Sequence, residues 1–221
     1  MMPDAAEILG TGFFVTTCGT MFTAGHVARQ WGSDSEIIVI HQEFNGTGYV
    51  CRRIVRALVH PVTDVAILSL ESWTSPATQT RLRNAILEIS VEAPPKSSQV
   101  TCWGFPQSHL VPPGPHYDGY TILLERGGAL GVVQEHFPNG RDRVMQPGEC
   151  FETSMDTMGG ASGGPVFNEQ GKVFAVVSSG LDESTTYVAP VKDLALARIF
   201  RAEPPGGDGS MLNLLEYFER Y

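Results

Sequence analysis

Three short segments of this chain carry a histidine, an aspartate and a serine, in that order. They are Thr23-Ala24-Gly25-His26-Val27, then His60-Pro61-Val62-Thr63-Asp64-Val65-Ala66-Ile67-Leu68, then Gly160-Ala161-Ser162-Gly163-Gly164-Pro165-Val166. A serine hydroxyl is a poor nucleophile until an imidazole takes its proton. The imidazole in turn needs a carboxylate to fix its tautomer and steady its positive charge. A fold that uses all three must bring together segments 38 and 98 residues apart along the chain.

Glycines on both sides of Ser162 let the backbone turn sharply and gather N–H groups. The N–H groups of Gly160 and Ser162 can then point at one spot beside the serine oxygen, as an oxyanion hole does. The alternative is a Gly-rich hairpin turn with an incidental serine. Around His26, Phe13 to Val15 and Met21 to Ala24 read as buried strand, and small Ala24 and Gly25 leave room for an imidazole facing a cleft. Asp64 stands just before an apolar run, where an aspartate is commonly a turn residue; its weight comes from its position between the other two segments.

These segments resemble those of the chymotrypsin-like (trypsin-fold) serine proteases. The match is closer to the bacterial trypsin-like branch that includes glutamyl endopeptidases and high-temperature-requirement proteases. Gly10 to Val15, Val173 to Gly180 and Tyr187 to Val191 resemble its first, pocket-lining and last strands, so the likeness spans about residues 8–200. It implies an all-β fold of two antiparallel six-stranded β-barrels with a C-terminal helix. Residues 1–90 would form the barrel carrying His26 and Asp64, and residues 91–200 the barrel carrying Ser162. Residues 201–221 would add a linker and a short amphipathic helix.

The resemblance also implies roles. His26 is the general base, Asp64 its orienter, Ser162 the nucleophile, and Gly160 with Ser162 the oxyanion donors. The substrate pocket would have Asp156 as its floor, six residues before the nucleophile, with Thr157, Val177, Ser178 and Gly180 around it. A carboxylate floor favours Arg or Lys at the cleaved bond. If Asp156 instead caps a turn, a small or apolar residue is preferred. Ala161 stands where zymogen-activated members carry an aspartate, so no new N-terminus can pair there. Val27 stands where secreted members carry a bridged cysteine.

The implied activity is serine endopeptidase on a protein or peptide substrate, with room for a regulatory partner protein. A protease-fold binding or signalling module, or an esterase on the same three residues, remains an alternative. No cofactor and no metal are expected: His41, His60, His109, His116 and His136 show no metal-pair spacing. The net charge of −9 argues against nucleic acid or an anionic membrane as partner. No run approaches the ~18 apolar residues of a membrane span. Met1 to Glu7 has no basic or apolar secretory pattern, so a cytoplasmic, reducing location follows unless a leader has been removed. Cys18, Cys51, Cys102 and Cys150 are then read as four free thiols, with the first three in buried strand contexts.

Strands are expected over residues 36–41, 49–60, 121–133 and 144–153, with a connector over 72–97. The arginines at 52, 53 and 56 read as a solvated strand face. The proline-rich stretch Val111 to His116 reads as a loop on the cleft rim. Asn168 to Gly171 reads as a hairpin turn. Val191 to Phe200 reads as helix. Ser210 is expected to cap a second helix with Met211, Leu214, Leu215 and Phe218 as its apolar stripe, docked on the chain's own body.

Overall fold

The computed structural model describes residues 6–32, 36–42, 48–74, 79–81, 83–112, 119–182, 184–201 and 210–220. The expected rim loop at residues 113–116 and the linker at 204–209 lie outside them. In the N-terminal half, β1 (Gly12–Phe14), β2 (Thr20–Ala24), α1 (Gly25–Ala28), β3 (Ile38–Gln42), β4 (Tyr49–Val59) and β5 (Val65–Leu70) follow in order. The strands form one antiparallel sheet in the order β1-β2-β5-β4-β3, curled rather than closed among the described residues.

The second half contains β6 (Gln99–Gly104), β7 (His109–Val111), β8 (Thr121–Leu123), β9 (Gly127–Phe137), β10 (Cys150–Thr153), β11 (Pro165–Phe167), β12 (Val173–Asp182) and β13 (Thr185–Pro190). Six of these close into a barrel, β10-β13-β12-β11-β6-β9, while β7 and β8 pair apart from it. The chain ends with α2 (Lys192–Leu196), β14 (Phe200–Arg201), β15 (Met211–Leu212) and α3 (Leu214–Arg220). The architecture is all-β and chymotrypsin-like, with a short C-terminal helix.

Several local expectations need correction. The strand expected over 121–133 is two strands, because residues 124–126 turn the chain away to begin the long β9. The strand expected over 144–153 holds only from Cys150. The residues before it form a loop around Asp142, whose Oδ1 accepts the N–H groups of Val144 and Met145 at 2.8 and 2.6 Å. The hairpin at Asn168 forms as expected. Its Oδ1 accepts from Gln170 and Lys172, and Gly171 supplies the positive φ of +72°.

The arginine run is not a solvated face throughout. Strand β4 alternates, with Val50, Arg52 and Ile54 inward and Cys51, Arg53 and Val55 outward. Arg52 is therefore buried and Cys51 exposed, the reverse of the sequence reading for both. The guanidinium is accommodated by acceptors: Nε donates to the Glu71 carbonyl at 2.7 Å, Nη2 to the Cys18 carbonyl at 3.2 Å and Nη1 to Asn84 Oδ1 at 3.3 Å. Without them, burying that charge would be strongly unfavourable. Gly19, at φ +116°, lies against the same guanidinium, where a Cβ would clash.

The expected helix at Val191 to Phe200 is shorter. Ala197 turns to extended backbone, and Phe200 and Arg201 pair with Leu212 and Met211. The last helix is capped by Asn213 rather than Ser210. Asn213 Oδ1 accepts the Glu216 N–H at 2.9 Å, and the Asn213 N–H donates to Glu216 Oε2 at 3.0 Å, a reciprocal capping box. The tail docks on its own chain as expected, but through Leu212, Leu214 and Tyr217, with Phe218 partly buried. Met211 is 44% exposed.

The tail enters a core that both halves share. Phe13, Phe22, Val65 and Ile67 come from the first sheet, Val173, Val176 and Ala189 from the barrel, and Leu212, Leu214 and Tyr217 from the tail. Leu214 is completely buried there. Leu214→Ala is expected to lower unfolding free energy by about 2–5 kcal/mol, the cost of an unrelaxed core cavity. Urea denaturation measures it, and a loss below ~0.5 kcal/mol would show that the tail is not part of the core.

No disulfide joins the four cysteines. Burial pushes the Cys150 thiol up to about 11 and raises that of Cys102 as well. A thiolate-selective reagent should modify exposed Cys51 in the native protein, leave Cys102 and Cys150 until unfolding, and count four thiols in denaturant without reductant. Fewer than four would reveal a bridge.

Candidate active site

The register of β2 and β5 determines where His26 and Asp64 meet. The two strands are antiparallel, with Ala24 opposite Val65. His26, two residues beyond Ala24, and Asp64, one residue before Val65, leave the pairing at the same end. The Asp64 carboxylate then receives His26 twice. The His26 backbone N–H donates to Oδ1 at 2.7 Å, and Nδ1 lies 2.8 Å from Oδ2. Gly25 makes the approach possible, since a Cβ there would stand 2.9 Å from Asp64 Oδ1.

Ser178, on β12 of the barrel, donates its hydroxyl to Asp64 Oδ2 at 2.7 Å. Arg29 Nη1 is 3.6 Å from Oδ1. An ionised carboxylate only accepts, so the proton between His26 and Asp64 belongs to Nδ1. In neutral His26 the lone pair is then on Nε2, the nitrogen facing away from Asp64. The His26 side chain is 43% exposed, whereas that of Asp64 is 14% exposed.

The serine segment is two consecutive turns. Ala161 N–H bonds the Met158 carbonyl at 3.1 Å, with Gly160 at φ +92°; Gly164 N–H bonds the Ala161 carbonyl at 2.8 Å, with Gly163 at φ +84°. Each has the positive φ at its third residue that a type II turn requires. The Gly159 carbonyl accepts from Gln107 N–H at 3.1 Å. A trans peptide directs the Gly160 N–H the opposite way. No described residue accepts from the N–H groups of Gly160 or Ser162.

Thr11, which sequence reasoning does not single out, binds this loop to the first sheet. Its N–H donates to the Ser162 carbonyl at 2.7 Å and its Oγ1 to the Gly160 carbonyl at 2.7 Å, and its own carbonyl accepts from Thr23 Oγ1 at 2.7 Å. Glycines flank it for a reason: a Cβ at Gly10 would lie 2.6 Å from the Ser162 carbonyl oxygen. From the other side, a Cβ at Gly163 would stand 2.8 Å from the Ala24 nitrogen. Ser162 is thus held against the segment that leads into His26. Its hydroxyl makes no hydrogen bond to His26 within 3.5 Å; such contacts are often long before substrate binds.

A family model described as a trypsin-like peptidase domain matches residues 10–176. The chain belongs to that family. Among solved structures with the same fold, Deg5 is 22% identical at a TM-score of 0.58, with 86% of this chain and 82% of that one covered. The MamO protease domain from Magnetospirillum magneticum is 18% identical at a TM-score of 0.57, with 87% and 89% covered. Rv3671c from M. tuberculosis is 23% identical at 0.53, with 84% and 78% covered. The protein y4bJ of Sinorhizobium fredii is 28% identical over 180 residues, which is 80% of this chain and 23% of that relative. The chain thus spans about a quarter of that relative's length.

Of the residues read as a pocket in this trypsin-like chain, Thr157 and Gly180 face each other, while the side chains of Asp156, Val177 and Ser178 point elsewhere. Asp156 is exposed. Thr157 Oγ1 bonds Thr186 Oγ1 at 2.8 Å. The Val177 side chain packs inside the barrel core, while its backbone brackets the serine loop through bonds to Gly163 and Gly164. Ser178 is buried and turned to Asp64. Gly180 faces Thr157, where a Cβ would stand 3.6 Å from the Thr157 carbonyl oxygen. A further residue missed from the sequence is Gln146, whose amide nitrogen lies 3.0 Å from the hydroxyls of both Ser178 and Ser179. An isolated glutamine in a polar loop carries no signal of such a contact.

Burial by itself would raise the Asp64 pKa. The hydrogen bonds from His26 and Ser178 and the imidazole's charge outweigh it, and the net shift is below the ordinary carboxylate value. A carboxylate with a depressed folded-state pKa contributes stability above its unfolded value and loses it as pH falls through the folded one. Wild type should therefore exceed Asp64→Asn in stability at neutral pH, with the gap narrowing on acidification below the usual carboxylate range. Denaturation midpoints of the two proteins across pH 2–7 check this; a constant gap would exclude Asp64 as the source.

Proposed function

We propose that the chain is a serine endopeptidase that works through an acyl-enzyme. Ser162 Oγ attacks the substrate carbonyl carbon while its proton passes to His26 Nε2. The developing oxyanion takes the N–H groups of Gly160 and Ser162. The imidazolium, steadied by Asp64, protonates the departing amine as the peptide bond breaks. Water, deprotonated by the same imidazole, then releases the acyl group and returns the proton to Ser162. The observation that carries this reading is the Asp64 carboxylate, which leaves the Nε2 lone pair of neutral His26 available on the side away from it. The two uncommitted N–H groups in the serine loop support it.

Purified wild type should take a fluorophosphonate label at Ser162 and cleave a peptide library. Ser162→Ala should do neither, with turnover reduced about a million-fold, and Asp64→Asn should cost about ten-thousand-fold. A binding module would take no label. An esterase would label but cut no peptide. Either result replaces the endopeptidase reading.

For the residue at the cleaved bond, we propose a small uncharged side chain. Thr186 Oγ1 donates to the Met155 carbonyl at 2.8 Å, so Thr157 supplies the proton between the two threonine hydroxyls. With Thr157 facing Gly180 across a narrow gap and Asp156 exposed, a long basic side chain has little depth to enter. Substrates with Ala or Val at that position should exceed Arg or Lys ones in kcat/KM by about tenfold or more. A preference for Arg or Lys would assign the floor to Asp156.

A further inference from the structure

In the loop between β9 and β10, the usual polarity is inverted over Val144, Met145 and Gln146. Val144 and Met145 are 84% and 62% exposed, while the next residue, Gln146, is only 3% exposed. Transfer energies favour the opposite arrangement, since a buried amide is costly unless its hydrogen bonds are made. The Gln146 amide makes them, donating to Ser178 Oγ and to Ser179 Oγ. Adjacent strand residues normally face opposite sides. Here β12 carries a bulge between Val177 and Ser179: Val177 pairs with Val188 and Ser179 with the next residue, Tyr187. The extra residue, Ser178, lets consecutive hydroxyls reach one amide.

Chemistry fixes the direction of every bond in this chain. Ser178 has one hydroxyl proton and sits 2.7 Å from a carboxylate oxygen that can only accept. That proton must go to Asp64. The group 3.0 Å away on the other side must then be a donor, which identifies it as the glutamine NH2. Its oxygen at that position would compete for the same proton. The loop is also built to hold this pose. Asp142 Oδ1 accepts the Gln146 N–H as well as those of Val144 and Met145, and the Gln146 carbonyl accepts from Arg141 at 2.9 Å. Two residues on, Gly148 packs on the Asp64 loop, where a Cβ would stand 2.8 Å from the Thr63 Cα.

We infer that Gln146 is a positioning residue for the proposed protease chemistry: by donating to the Ser178 oxygen it holds that hydroxyl in place against Asp64, and through Asp64 it orients His26. This rests on the endopeptidase reading of His26, Asp64 and Ser162. Gln146 does not touch substrate, so its loss should reduce kcat and leave KM in place.

The test combines two readouts on four proteins: wild type, Gln146→Met, Ser178→Ala and the double variant. Gln146→Met keeps the side-chain length and removes both donors. In the wild-type background it should lower kcat about fivefold to tenfold, with KM changed less than about twofold. In the Ser178→Ala background it should change kcat less than about twofold, because the residue it acts through is gone. An equal drop in both backgrounds, or a change in KM alone, overturns the inference. The second readout is the downfield proton resonance of the His26 Nδ1–Asp64 hydrogen bond, observed without turnover. Gln146→Met should move it; an unchanged position overturns the inference. Should Gln146→Met not fold, Gln146→Asn, whose amide is too short to reach, takes its place with the same expected outcomes. Wild type that neither labels nor cleaves would remove the protease reading, and the resonance alone would then decide the role of Gln146.

Discussion

The arrangement around His26 depends on one largely buried carboxylate. Asp64 cannot remain ionised in that position without donors, and it draws them from elements distant in the chain. His26 supplies two from α1 in the N-terminal half, and Ser178 supplies one from the barrel. Each donor is placed by backbone pairing, not by side-chain search. The β2–β5 register delivers His26, and the bulge in β12 delivers Ser178. The carboxylate thus joins the two halves, and the same bonds hold its pKa below the ordinary value.

A second attachment joins the halves around the serine loop. Thr11 uses its backbone N–H, its carbonyl and its hydroxyl to tie Gly160 and Ser162 to β2. Its hydroxyl also accepts from the Phe105 N–H at 3.1 Å. The flanking glycines allow this approach, since a Cβ at Gly10 or Gly12 would stand 2.6 Å from the Ser162 carbonyl oxygen or 2.9 Å from that of Phe22. Beneath these polar contacts lies an apolar core drawn from the first sheet, the barrel and the tail together. Displacing the sheet against the barrel would open that core, so the apolar packing and the polar attachments restrain the same motion.

The three segments of the candidate site are legible because each carries local constraints. Glycines at 160 and 163 encode two turns through positive φ, and Gly25 and Ala24 clear space beside His26. The hairpin at Asn168 and the capping box from Asn213 to Glu216 are equally local, although the cap is easily misplaced onto Ser210. Arg52 shows the limit of such reading. Three arginines in one strand suggest a wet face, yet strict alternation with Val50 and Ile54 turns Arg52 inward. Only carbonyls of Cys18 and Glu71 and the side chain of Asn84, none adjacent in sequence, make that position tolerable.

What the sequence alone determined is the set of candidate groups, the all-β class, the tight turns and the amphipathic tail, all of which follow from short-range sterics and periodicity. Tertiary structure alone decided which groups touch. A register of one residue more or less between β2 and β5 would separate His26 from Asp64 while leaving every local signal unchanged. The positions of Thr11, Ser178 and Gln146 around them depend on contacts as far as 151 residues apart. Hydrogen-bond partners at such separations are chosen by how two sheets pack, and no pattern within any one segment records that choice.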